Sequence, residues 1–170
     1  MSTKYFVIDV ESIGLHGEPF AVGWVVVDKS GAELECGVSA ISPQQAIGED
    51  KNRGWVTKNV PFITPTHPHL KAMLADFWQV WKRLKQDGAL MFAECAWPVE
   101  TRFLSMCVAE GMPETEWQGP YPLHDIASVM LAKGMDPMAS YPRTEAENPA
   151  HHPTSDARQS ARLLIEALKQ

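Results

Sequence analysis

The sequence lacks any apolar run long enough to cross a membrane. Its longest unbroken apolar stretches, such as residues 24–27, are far shorter than the roughly 18 residues that a membrane-spanning helix needs. The apolar stretch near the N-terminus is interrupted by Asp9 and Glu11, so it lacks the continuous core of a signal peptide. We therefore expect a cytoplasmic protein without a membrane partner.

Cysteine is also scarce. Cys36, Cys95 and Cys107 are widely spaced and form no C-x-x-C pair, which argues against a disulfide framework and against a thiolate zinc site. We expect three buried thiols.

Positive charge is in short supply, with 15 basic against 21 acidic residues and a formal charge of -6. We therefore do not expect a broad basic surface that binds a long duplex through many phosphate contacts. A short contact with the end of a nucleic acid stays compatible, particularly if metal ions supply local positive charge. The length of 170 residues predicts a single domain over residues 1–170.

The first half of the chain combines strands with one long helix. Three β-branched and aromatic segments predict an antiparallel meander, and a polar stretch without periodicity over residues 42–53 predicts an exposed loop. Apolar residues at helical spacing then predict a helix over 70–84, with Trp78 and Trp81 packed in the core. The three predicted strands cover residues 5–10, 19–27 and 33–39, with a hairpin turn at 28–31.

In the second half strands and helices alternate. The pattern predicts a buried strand, a helix, a further core element and a helix, then a long loop without regular structure and a final helix capped by Thr154 or Ser155. These elements cover residues 89–93, 98–111, 121–124 and 125–133, with the loop over 135–153.

Asp9 and Glu11 are two residues apart on the first predicted strand, so their side chains leave the same face. Carboxylates on a strand that is otherwise buried need neutralising, and Mg²⁺ or Mn²⁺ prefers oxygen ligands of this kind. Two acids at a frayed strand end are the alternative interpretation.

The residues after this pair extend the motif. Residues 9–15 read D-V-E-S-I-G-L and resemble the first motif of the DEDD 3′-to-5′ exonucleases, usually D-x-E-T-T-G-L. The resemblance implies that Ser12, Ile13, Gly14 and Leu15 cradle the terminal nucleotide of the substrate.

Residues 151–161 read H-H-P-T-S-D-A-R-Q-S-A and resemble the third motif of the same family, H-x-x-x-x-D-A-x-x-x-A. His151, not His152, has the matching spacing to Asp156. A histidine exchanges a proton near neutral pH, and an aspartate in the first turn of a helix can point its carboxylate at a metal. An exposed histidine pair beside an ordinary helix-terminal aspartate is the alternative.

The middle motif departs from the family pattern H-N-A-x-F-D-x-x-F-L, because residues 94–104 read E-C-A-W-P-V-E-T-R-F-L. Glu100 falls at the aspartate position, and Glu94 is a possible substitute. This departure has two interpretations: a functioning variant with glutamate in place of aspartate, or a fold with impaired metal binding. We favour the first because the other acids and His151 are present. Asp125 resembles the aspartate that opens the next helix, and we expect it to cap that helix.

The three motifs occur in the family's order, so the chain resembles the DEDDh subtype, similar to the polymerase proofreading subunit and the ribonuclease T group. The resemblance implies a ribonuclease H-like α/β fold, with a mixed five-stranded sheet flanked by helices and the active site at one sheet edge. It implies release of nucleoside 5′-monophosphates from the 3′ ends of single-stranded RNA or DNA, and similar enzymes are often homodimers. Asp9, Glu11, Glu100 and Asp156 would hold two Mg²⁺ or Mn²⁺ ions, and His151 would activate water.

Two other functions stay open on the sequence. One is a catalytically impaired module with this fold that binds nucleic acid or protein, which would account for the missing middle aspartate. The other is a phosphodiesterase for very short oligonucleotides, with which the acidic charge is compatible.

Overall fold

A computed structural model describes residues 3–169 and contains a mixed five-stranded sheet with the strand order β3-β2-β1-β4-β5. The first three strands pair antiparallel, whereas β4 pairs parallel with both β1 and β5. The predicted fold class is confirmed. The strands are β1 (Lys4–Ser12), β2 (Pro19–Asp28), β3 (Glu33–Ala40), β4 (Leu90–Ala93) and β5 (His124–Asp125).

Among residues 3–169, five α-helices flank the sheet, and two short 3-10 helices lie in the connections. The α-helices are α1 (Asp50–Asn59), α2 (Leu70–Gln86), α3 (Val99–Glu110), α4 (Ile126–Ala132) and α5 (Pro153–Leu168), and the 3-10 helices are Pro43–Gln45 and Glu145–Glu147. Within residues 3–169, no helix is both long and apolar enough to cross a membrane.

The central strand β1 separates two hydrophobic clusters. Phe6 and Ile8 lie in the cluster with α2 and α3, while Val7 lies in the cluster with α4 and α5. This alternation follows from the two-residue period of a strand, and it puts the odd-numbered residues of β1 on the α5 side. Trp78 and Trp81 are buried on α2, as predicted.

The sequence predicted an exposed loop over residues 42–53, and this prediction is wrong. The segment contains a 3-10 helix and the start of α1, and the guanidinium of Arg53 donates hydrogen bonds to the carbonyls of Pro43 (2.6 Å) and Ala46 (3.0 Å). The helix escaped prediction because its apolar face is narrow: Val56 is buried, and most of its neighbours are exposed.

Three other predictions need correction. The core element at 121–124 is reduced to the two-residue β5, and Tyr121 is fully exposed. The loop at 135–153 contains a 3-10 helix, which begins at a T-x-x-E capping box formed by Thr144 and Glu147. Cys36 and Cys95 are exposed, and of the three thiols Cys107 is buried.

The start of α5 also differs from the prediction. The helix begins at Pro153, and neither predicted hydroxyl caps it. The hydroxyl of Thr154 instead donates to the carbonyl of Gly37 on β3 (2.9 Å), and that of Ser155 donates to the carbonyl of Asn148 (3.2 Å). The two hydroxyls therefore tie the start of the helix to the sheet and to the preceding segment.

Gly23 on β2 allows α5 to approach the sheet closely. A Cβ atom at this position would lie 2.2 Å from the backbone nitrogen of Thr154 and 2.3 Å from the carbonyl carbon of Pro153. Gly23 is also the residue that pairs with Asp9 on β1. The missing side chain therefore brings the first turn of α5 next to Asp9.

We predict that Gly23→Ala lowers the free energy of unfolding by about 1–3 kcal/mol, because the backbone of α5 must move to accommodate the methyl group. Urea denaturation measures this change. Gly54→Ala is the matched control: nothing lies within 4 Å of a Cβ atom there, so alanine in α1 should stabilise by about 0.5–1 kcal/mol. Equal stability of Gly23→Ala and the unmodified protein would contradict the prediction.

Candidate active site

Four acidic side chains from three elements converge at the carboxyl end of β1. Asp9 and Glu11 lie on β1, Glu100 lies in the first turn of α3, and Asp156 lies in the first turn of α5. We call these four residues the acidic cluster. The sequence predicted an active site at one edge of the sheet. The cluster lies instead at the carboxyl end of β1, which is the middle strand of the sheet.

The closest group of potential metal ligands is formed by Glu11, His151 and Asp156. One ligand atom from each lies within 4.8 Å of those of the other two. The two carboxylates of this group offer the oxygen ligands that a hard divalent cation prefers, and the imidazole of His151 lies beside them. The donor set of the cluster therefore suits Mg²⁺ or Mn²⁺.

Burial dominates the electrostatics of the two carboxylates on β1. It raises the pKa of Asp9 well above the usual range, and the charges of Glu11, Glu100 and Asp156 raise it further. Burial also raises the pKa of Glu11 to about 8, with Asp156 and Glu100 adding to the effect. No hydrogen bond to either carboxylate is found among residues 3–169, so their negative charge is poorly compensated without a cation.

Glu100 is buried, and burial raises its pKa to about 7 even though the backbone N–H of Val10 donates to its Oε1 (3.3 Å). Glu94 follows β4 and accepts a hydrogen bond from the hydroxyl of Ser160. Both glutamates act on the pKa of Asp9, Glu100 more strongly than Glu94. The contact of Glu100 with the backbone of Val10, between Asp9 and Glu11, favours Glu100 as the middle member of the cluster.

Asp156 differs from the other members because both its oxygens are engaged. Oδ1 lies 2.6 Å from Nη1 of Arg143, and Oδ2 accepts the backbone N–H of His151 at 3.1 Å. No pattern in the sequence pointed to Arg143, because the contact comes from an irregular segment.

His151 is exposed and its backbone has a φ of 61°, in the left-handed region that non-glycine residues rarely adopt. This conformation turns the chain so that the imidazole faces Glu11 and Asp156. The ring also packs edge-on against Trp55 of α1, with the ring centroids 5.2 Å apart. The one sequence signal for Trp55 was a large aromatic residue within an otherwise polar segment.

A groove of about 370 Å³ adjoins Glu11. Ser12, Gly14 and Leu15 line it, together with Asn52 and Trp55 from α1 and Val10 and Val99. Ile13 does not, because its side chain is fully buried in the core.

Gly14 contributes to the groove in a way that the sequence did not reveal. Its φ is 72°, and a Cβ atom there would lie 2.2 Å from Nδ2 of Asn52. The glycine thus admits a side chain of α1, and the hydroxyl of Ser12 donates to its carbonyl at 2.8 Å.

Asp125 caps α4, as predicted. Its Oδ1 accepts the backbone N–H of Ser128 at 2.7 Å, and its Oδ2 accepts the backbone N–H of Ala96 at 2.9 Å. The second bond holds the turn between β4 and α3, which positions Glu100.

No protein-family model and no curated protein matches the chain. The chain is similar to solved structures of exonuclease I. A product-bound exonuclease I is similar with a TM-score of 0.59 at 11% identity, over 99% of this chain and 43% of that one. The E. coli exonuclease I in complex with a 5cy-dT13 oligonucleotide gives 0.65 at 11% identity, over 100% of this chain and 41% of that one. An apo exonuclease I gives 0.60 at 10% identity, over 99% and 45%.

These matches show that the chain has the ribonuclease H-like fold of exonuclease I. The chain spans less than half the length of the proteins that it matches. At this identity the likeness defines the fold, and the chemistry has to be argued from the site itself.

We predict that the metal-free protein loses stability as the pH rises from about 4.5 towards about 8. The pKa of Glu11 is raised from 4.5 to about 8 on folding, so the proton favours the folded state, and this contribution disappears as the pH rises through that window. Thermal denaturation in chelator should show a fall of several degrees, which Mn²⁺ reverses at the upper end.

Glu11→Gln is the control, because glutamine has no proton to lose. The difference in melting temperature between the unmodified protein and this variant cancels the contributions of other titrating groups. A difference that stays constant from pH 5 to pH 8 would contradict the raised pKa of Glu11.

Proposed function

We propose that the protein is a metal-dependent 3′-to-5′ exonuclease of the DEDDh subtype, related to the polymerase proofreading subunit and the ribonuclease T group. The observation that carries the proposal is the close group of Glu11, His151 and Asp156, beside Asp9 and Glu100, on the fold of exonuclease I. A single domain over residues 1–170, a cytoplasmic location and a homodimer stay predictions.

The acidic cluster would hold two Mg²⁺ or Mn²⁺ ions. Its poorly compensated carboxylates support this assignment, since cations would offset the burial and the repulsion that raise the pKa of Asp9. Bound ions would supply Lewis-acid polarisation of the scissile phosphate and charge stabilisation of the leaving oxygen. Glu100, in the first turn of α3, would replace the usual aspartate.

His151 would act as the general base. Its ring lies beside Glu11 and Asp156, and its neutral form would accept the proton of a water molecule bound there. The water oxygen then bonds to phosphorus and the bond from phosphorus to the 3′ oxygen of the preceding nucleotide breaks, releasing a nucleoside 5′-monophosphate. Trp55 restricts the rotation of the imidazole by its edge-on contact.

The groove beside Glu11 would bind the terminal nucleotide. Leu15 is 63% exposed and Trp55 is 49% exposed, so both offer apolar surface to a base in the groove, while Ser12 and Asn52 offer polar groups. The oligonucleotide in the similar E. coli exonuclease I structure supports a single-stranded partner. The net charge of -6 favours contact with a short stretch at the 3′ end of RNA or DNA.

A module with this fold that binds nucleic acid without cleaving it is the second candidate. The ion pair between Arg143 and Asp156 favours it, because a protein that holds no metal needs another counter-ion there. Metal-dependent cleavage distinguishes the two candidates.

We predict that Asp9→Ala and Asp156→Ala each reduce cleavage by at least about 1000-fold, since each removes a proposed metal ligand. The assay is a time course with 5′-labelled single-stranded RNA and DNA, in Mn²⁺ and in chelator. The unmodified protein should give a ladder of products that shortens from the 3′ end in Mn²⁺ and no ladder in chelator.

Asp87→Asn is the matched control, because it changes the charge at a surface residue that pairs with Lys4, and it should cleave normally. Full activity of Asp9→Ala would refute the metal assignment. Absence of cleavage by the folded, unmodified protein would favour the binding module, and Glu100→Asp would then be the variant to assay for restored activity.

We predict that His151→Ala slows cleavage by about 100-fold or more while Mn²⁺ affinity changes little, because its proposed role is proton transfer. Isothermal titration of Mn²⁺ beside single-turnover kinetics separates the two effects. A loss of Mn²⁺ affinity as large as that of Asp156→Ala would instead identify His151 as a metal ligand.

A further inference from the structure

Arg143 is the charged partner of the acidic cluster. Its Nη1 donates to Oδ1 of Asp156 and to the backbone carbonyl of Glu147, each at 2.6 Å. The side chain is 23% exposed, so the ion pair is partly sheltered from water. Over residues 3–169, no other lysine, arginine or histidine forms an ion pair with a carboxylate of the cluster.

The segment that carries Arg143 is attached to α5 by contacts that do not involve Asp156. Arg162 binds both oxygens of the buried Glu147 (2.7 and 3.1 Å) and donates to the carbonyl of Pro142 (2.9 Å). Gln159 donates to the carbonyl of Tyr141 at 3.1 Å. The backbone at Arg143 therefore stays in place whether or not its guanidinium pairs with Asp156.

A divalent cation and Arg143 compete for the same oxygen. Both oxygens of Asp156 are engaged: Oδ2 accepts the backbone N–H of His151, and Oδ1 is paired with the guanidinium of Arg143. A cation at Oδ1 would lie next to the guanidinium, where like charges repel strongly. This repulsion weakens the ion pair when a metal ion binds at Oδ1, and it favours release of the guanidinium.

The guanidinium has a second use once it is released. Its Nε and Nη2 make no hydrogen bond within the described residues 3–169, so part of its donor fork is free. Arginine presents this fork in the geometry that matches phosphate oxygens. The scissile phosphate must lie beside the cluster, within reach of a side chain that already contacts Asp156.

We propose that Arg143 exchanges partners during the reaction cycle. It neutralises Asp156 in the metal-free protein, leaves this carboxylate when a metal ion binds, and then binds a non-bridging oxygen of the scissile phosphate. The inference rests on the proposed function, and it adds a phosphate ligand and a cost of metal binding that the acidic residues alone do not provide.

The test is Mn²⁺ titration of chelator-treated Arg143→Met without nucleic acid, followed by titration of thymidine 5′-monophosphate at saturating Mn²⁺. Mn²⁺ should bind about fivefold more tightly than to the unmodified protein, since no guanidinium repels the cation. The nucleotide should bind about tenfold more weakly, since its phosphate loses a charged donor.

Arg158→Met is the matched control. It removes the same charge from a residue that pairs with Glu33 and contacts Cys36, away from the cluster, so both affinities should stay within about twofold of the unmodified protein. If Arg143→Met fails to fold by circular dichroism, Arg143→Lys replaces it. That variant keeps the charge but loses the fork, so it should weaken nucleotide binding and leave Mn²⁺ affinity unchanged.

The outcomes separate this inference from the proposed function. Tighter Mn²⁺ and weaker nucleotide binding by Arg143→Met support the exchange. An unchanged affinity for either ligand, in a protein that binds Mn²⁺ before mutation, overturns the exchange and leaves the metal centre intact. If neither the unmodified protein nor Arg143→Met binds Mn²⁺, both the exchange and the proposed metal centre are wrong.

Discussion

The close approach of α5 to Gly23 is the contact on which the candidate site depends. Asp9 and Gly23 are paired across β1 and β2, and the backbone of Pro153 and Thr154 lies over the glycine. Any side chain at this position would hold the helix further from the sheet. The carboxylates of β1 and the first turn of α5 meet because one residue between them has no side chain.

Bringing these carboxylates together has an energetic cost that the rest of the fold must offset. Burial raises the pKa of Asp9, Glu11 and Glu100, so each is destabilised in its charged form near neutral pH. The two hydrophobic clusters on either side of β1 supply the compensating stability. Strongly perturbed carboxylates at a groove are typical of functional sites, where a ligand and not the fold satisfies the charge.

Much of this architecture could be predicted because its signals are local. The two-residue period of β1 placed Asp9 and Glu11 on one face, and the helical repeat of apolar residues defined α2. The five-residue spacing from His151 to Asp156 identified a pair that the structure holds together through a backbone hydrogen bond.

The remaining features depend on contacts between distant segments, which a local pattern does not contain. α1 buries little apolar surface, so its sequence resembles a loop, although it carries Asn52 and Trp55 to the groove. Thr154 was predicted to cap the helix, but its hydroxyl donates to the carbonyl of Gly37 on β3 instead. The role of Arg143 could not be predicted, because it is an isolated arginine in an irregular segment and only the structure shows its contact with Asp156.

The order of the elements along the chain has a consequence for when the proposed active site can assemble during synthesis. Asp9 and Glu11 belong to the first strand, whereas His151 and Asp156 come with the last helix. During translation the chain emerges from its N-terminus, so the ribosome has made nearly all of the described residues before the cluster can assemble. While a nascent chain is still on the ribosome, close to messenger RNA, it therefore lacks the histidine and the aspartate that the proposed cleavage requires.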